Sequence, residues 1–264
     1  MKKFLVIGNP IDHTLSPKLH NYWIKKNNIE AIYEKQKLEH NKLENLIFQL
    51  KEKKISGINV TVPFKKSVIP FLDELTSEAL DTQSVNTIYL KNNKVMGDNT
   101  DIGGFETSIH KSKVDLKDKK ILILGAGGVV PSIIYALKKL KVSEIVLSNR
   151  TKEKAEKLKK FFKDIKIIKW GEISNFDMII NATILGLKKE DKINLDFSLD
   201  SKNKFFYDVI YNPNETDFLK TGKKLGYTTI NGKLMFVYQA FLAFNIWHKL
   251  KPNVDKDVLK LLDQ

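Results

Sequence analysis

The chain has 264 residues, of which 42% are hydrophobic and 29% charged, with a net charge of +14 and no cysteine. That length holds two modest domains, and the composition is globular rather than disordered or fibrous. A disulfide framework, a thiolate nucleophile and a cysteine-ligated zinc site are excluded, and no apolar run reaches the length of a membrane span or a secretory signal.

A cytoplasmic location is the expectation. The positive charge does not read as a nucleic-acid surface, because the lysines stand singly along helix faces instead of gathering in a patch with aromatics. It can draw anionic small molecules towards the protein.

Apolar β-rich runs alternate with helical patterns, predicting an α/β fold with mainly parallel strands. FLVIG reads as a strand, SPKLHNYWIKKN as a helix, AIYEKQKL as a strand and NKLENLIFQLKEKK as a helix. GINVTVP follows as a strand, then a helix over about 66–80, then the hairpin SVNTIYLKNNKVMGD turning at Lys91-Asn92-Asn93-Lys94. A helix over 103–110 leads into the polar stretch KSKVDLKDKK.

A second series opens at KILILGAGG, with strands at EIVLSN, KIIKW, FDMIINAT, FFYDVIY and YTTI. The apolar helix LMFVYQAFLAFNIW and a short amphipathic helix over 254–262 close the chain. Lacking strands of their own, they are expected to return to the first domain. The expected organisation is 1–102 with 236–264 as one domain and 103–235 as the other.

KILILGAGGVVPSIIYALKKL is a buried strand, a glycine turn and an amphipathic helix. Gly125, Gly127 and Gly128 let the backbone, with Ala126, approach a pyrophosphate at the helix N-terminus. Pro131 suits the first helical turn, and Val130 replaces the third glycine of the usual pattern. A plain strand-to-helix loop is the alternative. The end of the next strand says more: where NAD-binding chains carry an acidic residue for the ribose 2′-OH, this one has Asn149-Arg150-Thr151.

Arg150 is the only arginine beside 44 lysines (45 Lys plus Arg, less one). A guanidinium gives a bidentate bond to a 2′-phosphate and stacks on adenine, which an ammonium does not. Lys152 and Lys154 add positive charge. Capping or pairing on a helix is the plainer role for Arg150, but its position favours NADP(H).

Thr14 and Ser16 flank Leu15 before a helix, where hydroxyls cap the helix or bind a carboxylate. Asn59 and Thr61 alternate with Val60 and Val62, so the spacing predicts one polar strand face suited to a polyol. Lys65 follows Pro63-Phe64 at the carboxyl end of that strand. Asn86 precedes the hairpin, and Asp101 follows it at a place where an N-cap is the plain alternative. The five histidines show no metal spacing, and no metal is expected.

GNPIDHTLSPKLHN, NVTVPFK, SVNTI, GDNTD, GAGG, NRT, NAT with Gly186-Leu187, YDVIYNP and VYQA occur in this order and spacing. In that the chain resembles the shikimate dehydrogenases, from about residue 4 to residue 247. The resemblance implies a substrate-binding α/β domain and a doubly wound, Rossmann-type NADP-binding domain. It implies reversible NADPH-dependent reduction of 3-dehydroshikimate to shikimate, on the route to chorismate and the aromatic amino acids.

By the same resemblance Lys65 and Asp101 are catalytic, and Thr14, Ser16, Asn59, Thr61, Asn86, Tyr211 and Gln239 bind substrate. Cofactor contacts fall to Gly125, Ala126, Gly127, Gly128, Asn149, Arg150, Thr151, Lys154, Ala182, Thr183, Val209, Gly232 and Met235. An ammonium beside a carboxylate suits proton transfer to the oxygen of a carbonyl that receives hydride.

The chain departs from the family at Gly232-Lys233-Leu234-Met235, where G-L-G-M is usual, and at Ile184, where a small polar residue is common. Two alternatives stand beside the main expectation: a shikimate/quinate dehydrogenase of broader specificity, and a non-catalytic NADP-responsive regulator. The expected partner is a small-molecule substrate, with neither nucleic acid nor membrane, in a monomer or homodimer.

Overall fold

The computed structural model describes residues 1–173, 175–188, 190–198 and 203–263. In chain order the elements are β1 (Lys2–Gly8), α1 (Ser16–Lys26), β2 (Ala31–Lys37), α2 (Leu43–Lys51), β3 (Gly57–Val60), α3 (Phe64–Ser67), β4 (Glu74–Leu75) and α4 (Ser77–Thr82). There follow β5 (Thr87–Lys91), β6 (Lys94–Asp98), α5 (Thr100–Lys111), β7 (Lys120–Leu124), α6 (Val130–Lys139), β8 (Glu144–Ser148), α7 (Lys152–Phe161) and β9 (Lys166–Ile168). The last are β10 (Met178–Asn181), β11 (Phe205–Asp208), α8 (Asp217–Lys224), β12 (Thr228–Ile230), α9 (Lys233–His248) and α10 (Lys256–Leu261). Two units emerge: Met1–Gly104 joined by Val237–Gln264, and Phe105–Phe236.

The first unit is built on a sheet of order β2-β1-β3-β5-β6-β4. β1 pairs in parallel with β2 and β3, whereas the β5–β6 hairpin joins antiparallel to β3. Asn92 and Asn93 turn the hairpin with φ of 52° and 60°, a left-handed backbone that asparagine tolerates and this tight turn requires. Successive β1 side chains serve opposite faces. Leu5 and Ile7 pack in one core with Leu43, Leu46, Ile47 and Leu50 of α2, while Phe4 meets the indole of Trp247 from α9 at 5.0 Å.

On that second face the two closing helices are tied down. Trp247 Nε1 donates to Ile88 O (3.2 Å) and Trp23 Nε1 to Asn253 O (3.0 Å). Gly57 makes room for the indole, since a Cβ there would stand 2.4 Å from Trp247 Nε1. His20 of α1 lies in the same cluster, stacked flat on Tyr33 at 4.1 Å.

The helix expected over 66–80 is broken. Pro70 lacks the N–H a continuing helix needs. Asp73 Oδ2 then accepts from Val95 N–H (2.7 Å), drawing the chain alongside β6 as β4. Thr76 restarts the helix as α4, its hydroxyl accepting from Ala79 N–H.

The second unit holds a sheet of order β12-β11-β10-β7-β8-β9, parallel at each pairing. Numbered within the unit this is 6-5-4-1-2-3, the doubly wound order, which reverses between β7 and β10. Its strands are buried on both faces: α6 contributes Ile133, Ile134 and Leu137, all fully buried. Phe206 of β11 packs with Phe218 and Leu219 of α8 and with Phe176 and Phe197. Register aligns Ser148, Leu124, Asn181 and Asp208 in one row at the carboxyl ends of β8, β7, β10 and β11.

Candidate active site

Two clusters hold the residues singled out by sequence. In the first unit Lys65, on α3, and Asp101, in the first turn of α5, form an ion pair with Nζ 2.5 Å from Oδ2. Their side chains are only 12% and 9% exposed, so the pair is largely withdrawn from water. Asp101 is not an N-cap; its second oxygen accepts from Asn86 Nδ2 at 2.9 Å. α3 is pinned beside the start of β5 by Val85 N–H donating to Lys65 O (2.8 Å).

Behind the pair runs a buried polar chain. Asn86 Oδ1 accepts from Thr100 N–H (2.7 Å), and Asn86 Nδ2 also donates to Thr100 Oγ1 (3.0 Å). Asn59 Nδ2 donates to Asn86 O (3.0 Å) and Thr87 Oγ1 (3.1 Å), while its Oδ1 accepts from the Tyr33 hydroxyl at 2.7 Å. Asn59 is 7% exposed and its amide is bonded at both ends, so it braces Asn86.

β3 proper ends at Val60, but its pairing with β1 runs on, Thr61 N–H donating to Ile7 O (2.9 Å) and Asn9 N–H to Val62 O (3.0 Å). Thr61 is half-buried there, and Val62 is 54% exposed whereas Val60 is packed. Lys65 sits on the short helix α3 that follows the strand end. Thr14 and Ser16 share a hydrogen bond (3.1 Å), and Thr14 Oγ1 accepts from Ser16 N–H at 3.3 Å. Leu15, at the start of α1, has no side-chain cap. Gln239 lies on the part of α9 that belongs to this unit, whereas Tyr211 lies in the second unit, stacked on Phe236 at 4.1 Å.

The second cluster gathers at the carboxyl edge of the parallel sheet, where its strand order reverses. Gly125 has φ +112°, and a Cβ on it would stand 2.8 Å from Ala182 O, so only glycine fits there. Its N–H donates to Ser148 O (2.8 Å), holding the glycine turn beside the loop of Asn149, Arg150 and Thr151. Gly127 and Gly128 are exposed and α6 begins with no side-chain cap, leaving backbone at a helix N-terminus where an anion is favoured.

Asn149 Nδ2 donates to Thr151 O (2.7 Å), bracing that loop. Arg150 and Lys154 are exposed, and among the described residues the guanidinium neither pairs with a carboxylate nor caps a helix. Ala182 and Thr183 leave β10, and Val209 leaves β11. Gly232 N–H donates to Ile210 O at 3.1 Å, and a Cβ on Gly232 would fall 2.1 Å from Val209 O. That glycine is obligatory although Lys233 and Leu234 replace the two middle residues of the G-L-G-M run; Met235, which is kept, is buried. No three described His, Asp or Glu side chains gather as a metal site.

Both halves of the chain match family models: residues 6–88 the "Shikimate dehydrogenase substrate binding domain", and residues 108–208 "Shikimate / quinate 5-dehydrogenase". The shikimate dehydrogenase (NADP(+)) of Pelagibacter ubique is 63% identical, over 99% of each chain.

The chain belongs to the shikimate dehydrogenase family.

Among solved shikimate dehydrogenases, that of Aquifex aeolicus is 36% identical, with a TM-score of 0.90 over 99% of this chain and 97% of that one. The Thermus thermophilus enzyme, solved with NADP(H) and shikimate, is 28% identical with a TM-score of 0.89 over 100% and 98%. Several residues in the two clusters escaped the sequence reading of this shikimate dehydrogenase relative. Tyr33, Thr87 and Thr100 brace Asn59 and Asn86, and Asn181, Asp208 and Thr216 interlock beneath the loop after β10. For Asp208 a signal was present, a carboxylate closing the apolar strand FFYD. The others are polar residues whose partners lie far away in the chain.

Proposed function

We propose that this protein reversibly reduces 3-dehydroshikimate to shikimate with NADPH, in the pathway to chorismate and the aromatic amino acids. The observation that carries the reading is the Lys65–Asp101 pair at 2.5 Å, buried and oriented by Asn86. The family membership supports the substrate.

The residues present fit the cofactor. Gly125 opens the turn, the α6 N-terminus favours a pyrophosphate, and the exposed Arg150 suits a 2′-phosphate. When bound, NADPH supplies the hydride for the C3 carbonyl carbon. Lys65 then holds a proton at the carbonyl oxygen, and Asp101 fixes the ammonium and balances its charge. In the reverse direction the same pair withdraws the hydroxyl proton. Thr14 and Ser16 present two hydroxyls to the substrate carboxylate, and Asn86 keeps the Asp101 carboxylate turned towards Lys65. Thr61, Tyr211 and Gln239 complete the substrate contacts in this reading, and Asn59 acts by bracing Asn86.

Following NADP+ reduction at its near-ultraviolet band with shikimate tests the proposal; absence of shikimate-dependent reduction by the folded protein refutes it. Quinate and NAD+ belong in the same assay, since the family model is named for both acids. A rate with quinate rivalling that with shikimate would favour the broader specificity. No described helix is long and apolar enough to cross a membrane, and the proposal extends to a cytoplasmic enzyme acting on free metabolites.

A further inference from the structure

Asp208 closes β11 with no accessible surface, yet none of its hydrogen-bond partners carries charge. Its Oδ1 accepts from Asn181 Nδ2 (3.1 Å) and Ile210 N–H (3.0 Å), and its Oδ2 from the Thr216 hydroxyl (2.5 Å). Burial pushes the carboxyl up to about 6, against the hydrogen bonds from Thr216, Ile210 and Asn181. Asparagine in its place would spare that desolvation. What asparagine lacks is two oxygens that only accept.

That one-way character has a consequence along the chain. Facing a carboxylate, Asn181 must present its amide nitrogen, which also donates to Leu185 O (3.1 Å). Its oxygen is therefore turned to Thr183, accepting from the N–H (3.1 Å) and the hydroxyl (2.7 Å). With its proton committed, Thr183 Oγ1 accepts from Leu185 N–H at 3.0 Å. Thr216 lies close against the far end of the same loop, its side chain 3.2 Å from where a Cβ on Gly186 would stand. Asp208 thus orders segment 181–187 from both ends, and its own carbonyl lies 3.1 Å from the position of a Gly232 Cβ.

We propose that Asp208 is a positioning residue that, through Asn181 and Thr216, fixes segment 181–187 to receive the nicotinamide end of NADP(H). This rests on the cofactor reading above, in which Ala182, Thr183, Val209 and Gly232 line that end. Asp208 touches neither substrate nor cofactor in this account.

The test compares wild type with Asp208→Asn, reading NADPH affinity by fluorescence titration, KM for each substrate, kcat and the melting temperature. Displacing a reacting ring by an ångström costs on the order of 100-fold, so a partial shift predicts kcat down and NADPH Kd up by about tenfold. KM for shikimate stays within about twofold, because that site is built on other residues. A folded Asp208→Asn chain with wild-type kcat and NADPH affinity overturns the proposal. So does a rise of both KM values together with a collapsed melting transition, which marks a purely structural role. Should that variant fail to fold, Thr216→Val keeps the side-chain shape, and the same cofactor-selective loss is required of it. If wild type binds NADPH without oxidising shikimate, the proposed function falls while the binding comparison still decides Asp208.

Discussion

His20 offers a quantitative check on the first unit's core. Its imidazole is 1% exposed, stacked on Tyr33, and neither ring nitrogen has a hydrogen-bond partner among the described residues. Burial, with a smaller push from His248, lowers its pKa from 6.5 to about 3. Above pH 6.5 the ring is neutral folded or unfolded, and the term vanishes. Below it the unfolded chain takes up a proton that the folded chain refuses, so stability falls with pH down to about 3.

At 1.36 kcal/mol per pH unit, the loss between neutrality and pH 5.0 is about 2 kcal/mol. His248, lowered to about 4 by burial and by Lys2, acts in the same direction, weakened by its partial exposure. Replacing His20 with Phe keeps a flat ring and removes the titration; any packing offset does not depend on pH. Chemical unfolding followed by tryptophan fluorescence, with Trp23 and Trp247 both ringing His20, should show the variant losing about 2 kcal/mol less than wild type between pH 7.5 and 5.0. An equally steep loss in both proteins would refute the reasoning.

Lys65→Met should lower kcat by about 10²- to 10⁴-fold, the usual weight of a positioned acid–base group, and should lower the melting temperature by leaving Asp101 buried without its cation. Steady-state assays and thermal melts check the two effects separately. Arg150→Ala should raise KM for NADP+ by about 10- to 100-fold, the worth of charged hydrogen bonds to one phosphate, while KM for NAD+ barely moves. Gly57→Ala should destabilise by about 1–3 kcal/mol, because the added methyl meets the Trp247 ring; urea titration by circular dichroism measures it.

Much of this architecture was legible in the sequence because local chemistry and tertiary structure agreed. Asn92-Asn93 supplied the left-handed turn of the hairpin, and the glycine run after KILIL marked the first strand of a doubly wound sheet. The helix expected over 66–80 is not continuous because Pro70 interrupts it, and the bond from Val95 to Asp73 that draws out β4 is invisible locally. The alternation of Asn59 and Thr61 with valines does not reveal that Val62, unlike Val60, lies exposed where the strand gives way to α3. His20 could have been placed indoors: with Ser16, Leu19, Trp23 and Ile24 it keeps the helical spacing of a buried stripe. What no local pattern carries is the choice of partner, as with Tyr33 for Asn59 or Thr216 for Asp208.

The first unit needs both ends of the chain, since Phe244 and Trp247 complete a cluster begun by Phe4, His20 and Trp23. During synthesis the nascent polypeptide must therefore leave that aromatic surface bare while some 130 intervening residues emerge, and can hide it only once Phe244 and Trp247 have followed them. The Rossmann-type half has all its strands beforehand, so it is free to fold first on the ribosome, and a message cut short before Val237 would yield one finished half beside one sticky one.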